Sequence, residues 1–479
     1  MKKILCLTLA VLLLLGLCAC GGSGNSNSTG TTEETPTEPA APQLKIGFGR
    51  VNITPNYPVG MSSSGTEKHR RHTGLISYVY ATCVAVAYGE ETYLLYTVDT
   101  ISIDETLGDI LRVEIVNQFP EIKLENIFFG ATHTHSAPAN RFTDNEAEGK
   151  YRQEFITYMP QAAKLAINDL APATVEACKF DIEGMNFVRH YVMNDGTYAG
   201  SNFGETTSGY KEHTYDPNHE MILVRFPREG KEPVILVNWA AHPANPYDEA
   251  IGWLNISADH PGWCREELER LSGAKVAYFN GASGDTVPDS QIADLKHGLN
   301  AKEYGTKLGQ IAYEHMSELK PVEVDNVAAA QQKVTCKIPH EQEHLLAQCK
   351  EIYQIYSVDN NKTLATQMAK ELGLSSVHHA GAISARASLG ESEERTVNVF
   401  RIGQVSFSIG TYEMASEHAG ELKAASPYEF TFQICSNSKY IPREEAIDYH
   451  SYEGDTRRYT RETGDMMVEK YLEMLNSIK

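Results

Sequence analysis

The stretch IFFGATHTHSAPAN, residues 127–140, decides how the rest of the chain is interpreted. Its first five residues are apolar or small and predict a short buried strand, which Pro138 ends because proline cannot donate a backbone hydrogen bond. His133 and His135 follow two residues apart, a spacing that puts both imidazoles on one face of an extended chain. The pattern predicts two histidines at the rim of a sheet, where α/β folds place functional sites. A pair of surface histidines on a turn is an equally good explanation of the motif by itself.

Residues 1–19 have the features of a bacterial lipoprotein signal peptide. Lys2 and Lys3 precede an apolar run that is too short to span a membrane comfortably. A cysteine directly after a small residue predicts cleavage before Cys20 and its lipidation, although a plain secretory signal cut near Ala19 is the alternative. Because two acyl chains suffice for stable anchoring, we expect a protein held on the outer side of the cytoplasmic membrane.

The remainder of the chain divides into a tether and one large domain. Residues 20–43 are mostly Gly, Ser, Asn, Thr, Glu, Ala and Pro and predict a disordered, lipidated tether. Residues 44–479 contain all the histidines and no internal linker of similar composition, which predicts a single catalytic domain. Within it, residues 340–373 have a polar helical pattern and are interpreted as a helical insertion.

Charge and cysteine usage exclude several classes of protein. The formal net charge of −21 argues against nucleic acid and anionic lipid headgroups as main partners. Of nine cysteines, the six after Cys20 show no C-x-x-C spacing, so neither a zinc ribbon nor a redox motif is indicated. Several of these six lie in apolar contexts, where a thiol behaves as a small hydrophobe, and disulfides are left open.

The arrangement of an apolar strand followed by a polar ligand recurs twice. Residues 234–245, VILVNWAAHPAN, place His242 before a proline, and the apolar hairpin of residues 396–409 leads to Glu413. Three strands therefore end in groups that can bind a metal: His133 or His135, His242, and Glu413. A catalytic zinc ion takes three protein ligands from histidine and carboxylate side chains and leaves a position for water. A tyrosine after the next strand is a further oxygen donor.

Four other residues are candidates for a role at this site. Asp99 ends a strongly apolar strand, where an unpaired acid is costly, so it either supports a metal ligand or is solvated. Asp285 lies in a loop of glycine and small residues that permits close approach, and it is a second candidate support. Asp259 precedes a helix, and helix capping is favoured over support of a ligand. Arg189 is either a clamp for an anion or carbonyl, or an exposed strand charge.

The sequence resembles the neutral/alkaline non-lysosomal ceramidases over residues 45 to 475. The matching stretches occur in the order of the family and read GFGRVNITP, GATHTHSAPAN, NWAAHPAN, SADHPGW, GASGDTVPD, GTYEM and SNSKYIPREEAIDYHSYEG. The resemblance implies an α/β fold, with mixed β-sheets flanked by helices in a single large zinc-hydrolase-like domain. It covers the N-terminal catalytic domain of the family only, because the sequence ends soon after Tyr452 without the C-terminal β-sandwich.

The same resemblance implies roles for individual residues. The zinc ligands of the family fall on His133, His242, Glu413 and Tyr440, and the catalytic groups fall on His135, which faces the substrate, Arg189 and Tyr452. The sequence departs from the family in one loop, where Val287 stands in place of the reactive serine. Ser283 and Thr286 are the nearby hydroxyl residues.

Two functions are consistent with these patterns. The first is a cell-surface zinc-dependent hydrolase that cleaves an N-acyl lipid, a ceramide-like molecule or another amide or ester with water activated by the metal. His135 would transfer protons, and Arg189 or Tyr452 would stabilise the oxyanion. The alternative is a metal-containing, ligand-binding lipoprotein without catalytic activity. In both cases the expected partner is a small molecule or lipid amide, with membrane contact through the lipid anchor only.

Overall fold

The computed structural model describes residues 43–62, 71–140, 145–200, 209–244, 254–436 and 439–479. The predicted signal peptide, Cys20 and almost all of the predicted tether lie outside the described residues. Residues 42–479 form one compact unit. In the part of the chain that is described, no helix combines the length and apolar character needed to cross a membrane.

The strands are bounded as follows. In chain order they are β1 Lys45–Asn52, β2 Gly74–Leu75, β3 Tyr80–Tyr88, β4 Glu91–Val98, β5 Ile127–Ala131, β6 Ala171–Pro172, β7 Val175–Asp181, β8 Phe187–Val188, β9 His190–Met193, β10 Tyr198–Gly200, β11 Tyr210–His213, β12 Glu220–Arg228, β13 Lys231–Trp239, β14 Asn255–Ile256, β15 Lys275–Asn280, β16 Thr286–Val287, β17 Lys320–Val322, β18 Val327–Lys337, β19 Ser392–Ile402, β20 Val405–Gly410, β21 Glu413–Met414, β22 Phe430–Cys435 and β23 Tyr440–Ile441.

The helices lie between and after these strands. In chain order they are α1 Glu105–Gln118, α2 Glu146–Asn168, α3 Asp259–Ser272, α4 Ala301–His315, α5 Leu346–Ser357, α6 Lys362–Glu371, α7 Val377–Arg386, α8 Ser416–Ala425, α9 Glu444–Asp448, α10 Tyr452–Thr456 and α11 Thr463–Ser477. Helix α1 begins after Asp104, because the Asp104 side chain accepts a hydrogen bond from the backbone N–H of Leu107.

Three large sheets share one strand order. They run β5-β4-β3-β1-β6, β15-β13-β12-β7-β17 and β22-β20-β19-β18. In each sheet an antiparallel hairpin is followed by a helix, and the next large strand pairs in parallel with the second arm of the hairpin. The connecting helices are α1, α3 and α8. The predicted fold class, mixed β-sheets flanked by helices, is therefore confirmed.

The three sheets pack on a common hydrophobic core. Leu95 and Phe128 come from the first sheet, Phe279 from the second, and Phe407 and Phe432 from the third. The parallel strands β5, β15 and β22 are buried at every residue except Lys275, because both of their faces are covered. Removing this large apolar surface from water is the main term that holds the sheets together. Because the sheets share one core, the ends of their parallel strands can contribute to one site.

The predicted insertion belongs to a region of three helices that extends beyond it. Helices α5 and α6 fall in the predicted range, and α7 extends the helical region beyond residue 373. The three helices have a small core of their own, which includes Cys349, Ile352, Ala365 and Ile383. A side chain at Gly381 would lie 2.6 Å from the Tyr353 ring, so glycine lets α7 approach α5 closely. The glycine and the short apolar spacing of α7 weaken its helical signal in the sequence.

The cysteines of the described domain act as core residues. All six of them are buried and unpaired. Burial raises the pKa of Cys83, Cys264 and Cys435, which keeps these thiols protonated and unreactive. The interpretation of these residues as small hydrophobes is therefore confirmed, and the disulfides that the sequence left open do not form among them.

Candidate metal centre

His133 is held by the end of the neighbouring strand. Strand β5 ends at Ala131, and His133 has a left-handed backbone with φ 66°. The backbone at His133 is therefore not extended, so the strand alternation that predicted one shared face for His133 and His135 does not apply here. Its backbone N–H donates to the carbonyl of Thr100 (3.0 Å) and its Nδ1–H donates to the carbonyl of Ile101 (2.7 Å). Because Nδ1 carries the proton, Nε2 presents a lone pair, the form that binds a metal.

His242 is oriented in the same way by a different loop. Its Nδ1–H donates to the carbonyl of Ser283 (3.0 Å), and its backbone N–H donates to the carbonyl of Thr286 (3.1 Å). The loop that follows β15 therefore fixes both the tautomer and the direction of the ring. As with His133, a backbone carbonyl on Nδ1 leaves the lone pair of Nε2 pointing into the site.

The Nε2 atoms of three histidines converge. The distance is 3.2 Å between His133 and His242, 3.4 Å between His133 and His135, and 2.8 Å between His135 and His242. Tetrahedral ligands about 2.1 Å from a zinc ion lie about 3.4 Å apart, so this spacing suits a shared ion. The Nε2 lone pairs of His133 and His242 face each other at 3.2 Å and repel, and a cation between them removes the repulsion. The three histidines form a candidate metal-binding group.

Glu413 completes one side of this group. Its Oε2 lies 3.3 Å from Nε2 of His133 and 3.9 Å from Nδ1 of His242. The residue is only 2% exposed, and neither carboxylate oxygen has a hydrogen-bond partner among the described residues. A buried carboxylate without hydrogen bonds is costly unless a cation faces it. The chemistry of these donors, one carboxylate and imidazole nitrogens, fits a divalent metal ion.

Tyr440 is the backbone neighbour of Glu413. The two residues are paired in register in the parallel ladder of β21 and β23. Burial raises the pKa of Tyr440 well above its ordinary value, and the Glu413 charge adds to the effect. The phenol oxygen accepts a hydrogen bond from Nη2 of Arg189 at 3.4 Å. The roles of Tyr440 as a ligand and of His135 as a substrate-facing residue stay predictions.

Burial also sets the charge state of the histidines. It lowers the pKa of His135 and His242 well below the ordinary value, and the neighbouring His133 lowers both further. Both rings are therefore neutral at pH 7. Neutral imidazole is the form that coordinates a metal, so the environment prepares these ligands for binding.

Arg189 lies beside the metal-binding group in a buried ion pair. Its Nε donates to Oε1 of Glu453 at 2.6 Å, and its Nη2 donates to the carbonyl of Gly284 at 2.7 Å. Burial by itself would lower the pKa of Arg189, but the Glu453 charge outweighs burial and raises it. The interpretation of Arg189 as an exposed strand charge is therefore wrong, because its side chain is 4% exposed and faces the site.

Glu453 and His190 are site residues that the sequence analysis missed. Glu453 lies between Arg189 and His190, which donates to it from Nε2, and Nδ1 of His190 accepts from the hydroxyl of Tyr449 (2.9 Å). Burial would raise the pKa of Glu453, yet Arg189 and His190 lower it to about 2. The available signal was the arginine itself, because a buried arginine requires an acid partner.

Tyr452 begins α10 and lies against Tyr440. The two rings meet edge to face with centroids 5.5 Å apart, and the Arg189 guanidinium lies 5.9 Å from the Tyr452 ring. Burial raises the pKa of Tyr452 to about 12, so its hydroxyl stays protonated. Of the predicted catalytic groups, Arg189 and Tyr452 are thus neighbours around Tyr440.

A cavity of about 460 Å³ lies on the side of Tyr452 that faces the helical insertion. The ring of His378, which contributes to its lining, packs edge to face on Tyr452 with centroids 5.8 Å apart. Most of its other lining side chains carry hydroxyl, amino or imidazole groups, among them Tyr198, Tyr356, Lys362, Tyr449, His450 and Ser451. A volume of this size is typical of small-molecule sites.

The loop that orients His242 packs closely on the strand of Glu413. A side chain at Gly284 would lie 2.9 Å from the carbonyl oxygen of Met414 and 3.2 Å from that of Glu413, so only glycine permits this approach. The Asp285 carboxylate accepts from the hydroxyl of Tyr215 and from the backbone N–H of Ser416 (2.9 Å). Asp285 therefore fixes the position of the backbone at Ser416, three residues after Glu413.

Val287, which stands where the ceramidases that the sequence resembles have a reactive serine, lies in a short strand. Val287 belongs to β16 and pairs with Phe187 of β8. Ser283 Oγ accepts a hydrogen bond from Asn280 (2.9 Å), while the carbonyls of Ser283 and Thr286 hold His242. The contribution of these hydroxyl residues to the site is therefore made through their backbone.

The two remaining acids have other partners. Asp99 accepts hydrogen bonds from Nη1 and Nη2 of Arg265 (3.2 and 2.9 Å) and from the backbone N–H of Tyr80 (2.9 Å). The proposal that Asp99 is a solvated strand end is wrong, because it is 1% exposed. Asp259 is not the N-cap of α3, because Ala258 occupies that position. Its carboxylate instead accepts from the backbone N–H of His260 at 2.6 Å.

Comparison with solved structures finds ceramidases. A ceramidase complexed with C2 matches with a TM-score of 0.68 at 14% identity, over 91% of this chain and 75% of that one. The neutral ceramidase from Pseudomonas aeruginosa matches with a TM-score of 0.66 at 15% identity, over 91% of this chain and 74% of that one. The fold is ceramidase-like. No protein-family model matches the sequence, and a search of curated proteins gives no significant match.

Proposed function

We propose that this chain is a zinc-dependent hydrolase of an amide bond. The observation that carries the proposal is Glu413, a buried carboxylate without hydrogen bonds that faces the converging imidazoles of His133 and His242. A carboxylate in this state requires a cation, and the donor set is typical of catalytic zinc. The ceramidase-like fold supports amide chemistry as the reaction.

The zinc ion would be held by His133, His242 and Glu413, with His135 or Tyr440 as a further ligand. When bound, zinc polarises a carbonyl oxygen and activates water as a nucleophile at neutral pH. Because burial keeps His135 neutral, its imidazole can accept a proton and return it to the leaving amine if it remains outside the coordination shell. Accepting a proton and donating it to the leaving amine are the two proton transfers of amide hydrolysis, and a single imidazole can carry out both.

Arg189 and Tyr452 would stabilise the charge that develops on the carbonyl oxygen. Arg189 stays cationic, and its contacts with Glu453 and Gly284 fix its orientation before the substrate binds. The protonated hydroxyl of Tyr452, whose ring lies beside both Arg189 and Tyr440, would be a second donor. Fixed donors in a buried site stabilise a transition state more than mobile water does.

The cavity beyond Tyr452 supports a substrate with a polar portion. Its lining hydroxyl groups and Lys362 suit a hydroxylated or anionic group attached to the amide, and its volume of about 460 Å³ admits such a group. We propose an N-acyl lipid with a polar head group, or another polar amide, as the substrate class. The predicted lipid anchor at Cys20 would hold the enzyme at the outer surface of the cell, next to membrane lipids.

The alternative function is metal-dependent binding without catalysis. The observation that favours it is Val287, which replaces the reactive serine of the ceramidase family by a side chain that cannot act as a nucleophile or donor. Under the hydrolase proposal this replacement is tolerated, because water provides the nucleophile and Arg189 provides the oxyanion donor.

A panel of amides and esters separates the two functions. Purified protein would be assayed on ceramides, N-acyl amino acids and simple esters, first as isolated, then after removal of metal, then after addition of Zn²⁺. We expect turnover of at least one amide, its loss on metal removal and its return with zinc. His133→Ala removes a ligand, and His344→Ala, at an exposed histidine, is the matched control.

Turnover that persists after complete removal of metal would eliminate the zinc mechanism. A protein that binds zinc and a member of the panel but cleaves none would favour the binding function.

A further inference from the structure

We propose a second metal site, formed by His418, Glu421 and Asp465, that takes a divalent transition metal ion such as Zn²⁺. His418 and Glu421 lie three residues apart on α8, and Asp465 lies in the first turn of α11. The ligand atoms of the three side chains lie within 4.8 Å of one another. The site connects the helix that follows Glu413 to the C-terminal helix.

His418 provides the first argument for a ligand. Its side chain is only 8% exposed, and neither ring nitrogen has a hydrogen-bond partner among the described residues. Buried polar groups in proteins almost always have a partner, because the cost of leaving one unsatisfied is comparable to that of a lost hydrogen bond. An unpartnered, buried imidazole therefore indicates a group that the protein itself does not supply.

The two carboxylates face this imidazole at a distance that suits a bridging ion. Nδ1 of His418 lies 3.6 Å from Oε2 of Glu421 and 3.8 Å from Oδ1 of Asp465. Both distances are too long for hydrogen bonds. Ligands about 2.1 Å from a zinc ion lie about 3.4 Å apart, so a small inward movement of two surface carboxylates would complete the set.

Gly464 fixes the direction of the imidazole. A side chain at this position would lie 2.2 Å from Nε2 of His418, so the ring packs directly on the backbone of α11. This contact covers the Nε2 side of the ring and leaves Nδ1 as the nitrogen that faces the carboxylates. A larger residue at position 464 would displace the ring and disperse the three ligands.

The charge balance is also that of a metal site. Among the described residues, neither Glu421 nor Asp465 forms an ion pair with a lysine or arginine, and both side chains are more than half exposed. Two carboxylates neutralise one divalent ion, the imidazole adds a nitrogen ligand, and solvent can provide the remaining ligands. A nitrogen ligand favours zinc or another transition metal over Mg²⁺ and Ca²⁺, which prefer oxygen.

Equilibrium dialysis against micromolar Zn²⁺ tests the site by counting bound ions. The wild-type protein should bind two equivalents, and the double variant His133→Ala/His242→Ala should keep one. His418→Gln should also bind one equivalent, and adding it to the double variant should leave none. His315→Gln is the matched control, because His315 pairs with Glu318 three residues later at 2.8 Å but forms no three-residue group, and it should keep two.

Asp465→Asn tests the same site without a change in the buried ring. Its side chain is 72% exposed, so the variant should fold normally while zinc affinity at this site falls at least tenfold. The proposal is overturned if His418→Gln and Asp465→Asn bind as much zinc as the wild type. It is also overturned if His133→Ala/His242→Ala binds none. Both results are independent of whether the protein cleaves an amide.

Discussion

Glu413 and Glu453 are two carboxylates that are buried to nearly the same extent, but within the described ranges only Glu453 has hydrogen-bonding and charged partners. Glu453 is bound by Arg189 and His190, and these partners lower its pKa to about 2. Glu413 is also 2% exposed, yet neither of its oxygens has a hydrogen-bond partner among the described residues, and Oε2 lies 3.3 Å from Nε2 of His133. The protein thus provides the countercharge of one carboxylate and leaves the other to be neutralised by an added cation. The first carboxylate orients an arginine, and the second binds a metal.

The largest expected effect is that of Glu413→Gln. The amide keeps the size of the side chain but weakens metal binding, so turnover should fall by about 10³-fold, equivalent to the several kcal/mol that a metal contributes. Measurement of bound zinc and of turnover checks this expectation. The metal-free variant should be at least as stable as the metal-free wild type, because it no longer buries an unpaired carboxylate. Unchanged zinc content would contradict the assignment of Glu413 as a ligand.

Glu453→Gln should act on stability as well as on activity. It leaves Arg189 buried without its partner, which typically costs about 3–5 kcal/mol. Chemical denaturation gives the free energy of unfolding, and Glu444→Gln, at an exposed residue of α9, is the control. Zinc content should stay the same while turnover falls, because the arginine loses its orientation. A variant as stable as the wild type would show that the ion pair contributes little.

The ion pair of Glu453 also predicts a dependence of stability on pH. The pKa of Glu453 is about 2 in the folded protein against 4.5 for the free side chain, so its stabilising contribution is present above pH 4.5. This contribution should be lost as the pH falls from 4.5 towards 2. The midpoint temperature of thermal unfolding should therefore fall more steeply between pH 6 and pH 3 for the wild type than for Glu453→Gln. Parallel curves would mean that Glu453 is not ionised preferentially in the folded state.

Tyr452→Phe should give the smallest of these effects. The ring packing on Tyr440 and His378 is retained and only the hydroxyl is removed, so stability and zinc content should be unchanged. Loss of one oxyanion donor should lower kcat by about 10²-fold while KM stays nearly constant. Steady-state kinetics on the best amide of the panel checks the result. A change in KM alone would place Tyr452 in substrate binding.

The local structure was largely predictable from the sequence. Continuous apolar runs predicted the hairpin of residues 396–409, and the strand before His133 lies where the pattern puts it. The histidines and Glu413 were identifiable as strand-end residues for the same reason. The partners of Arg189 were not identifiable, because Glu453 belongs to a short helix far along the chain, and no local pattern encodes that contact.

The sequence by itself determined which residues end their strands and which side chains can coordinate a metal, because strand periodicity and ligand chemistry are properties of neighbouring residues. The tertiary structure decided that these ends meet. Three sheets with one strand order pack on a common core, and this packing brings His133, His242 and Glu413 together. It also decided the tautomers, since the carbonyls that hold the rings come from separate loops. Contacts between distant segments depend on how whole sheets pack, and that information is distributed over the entire chain.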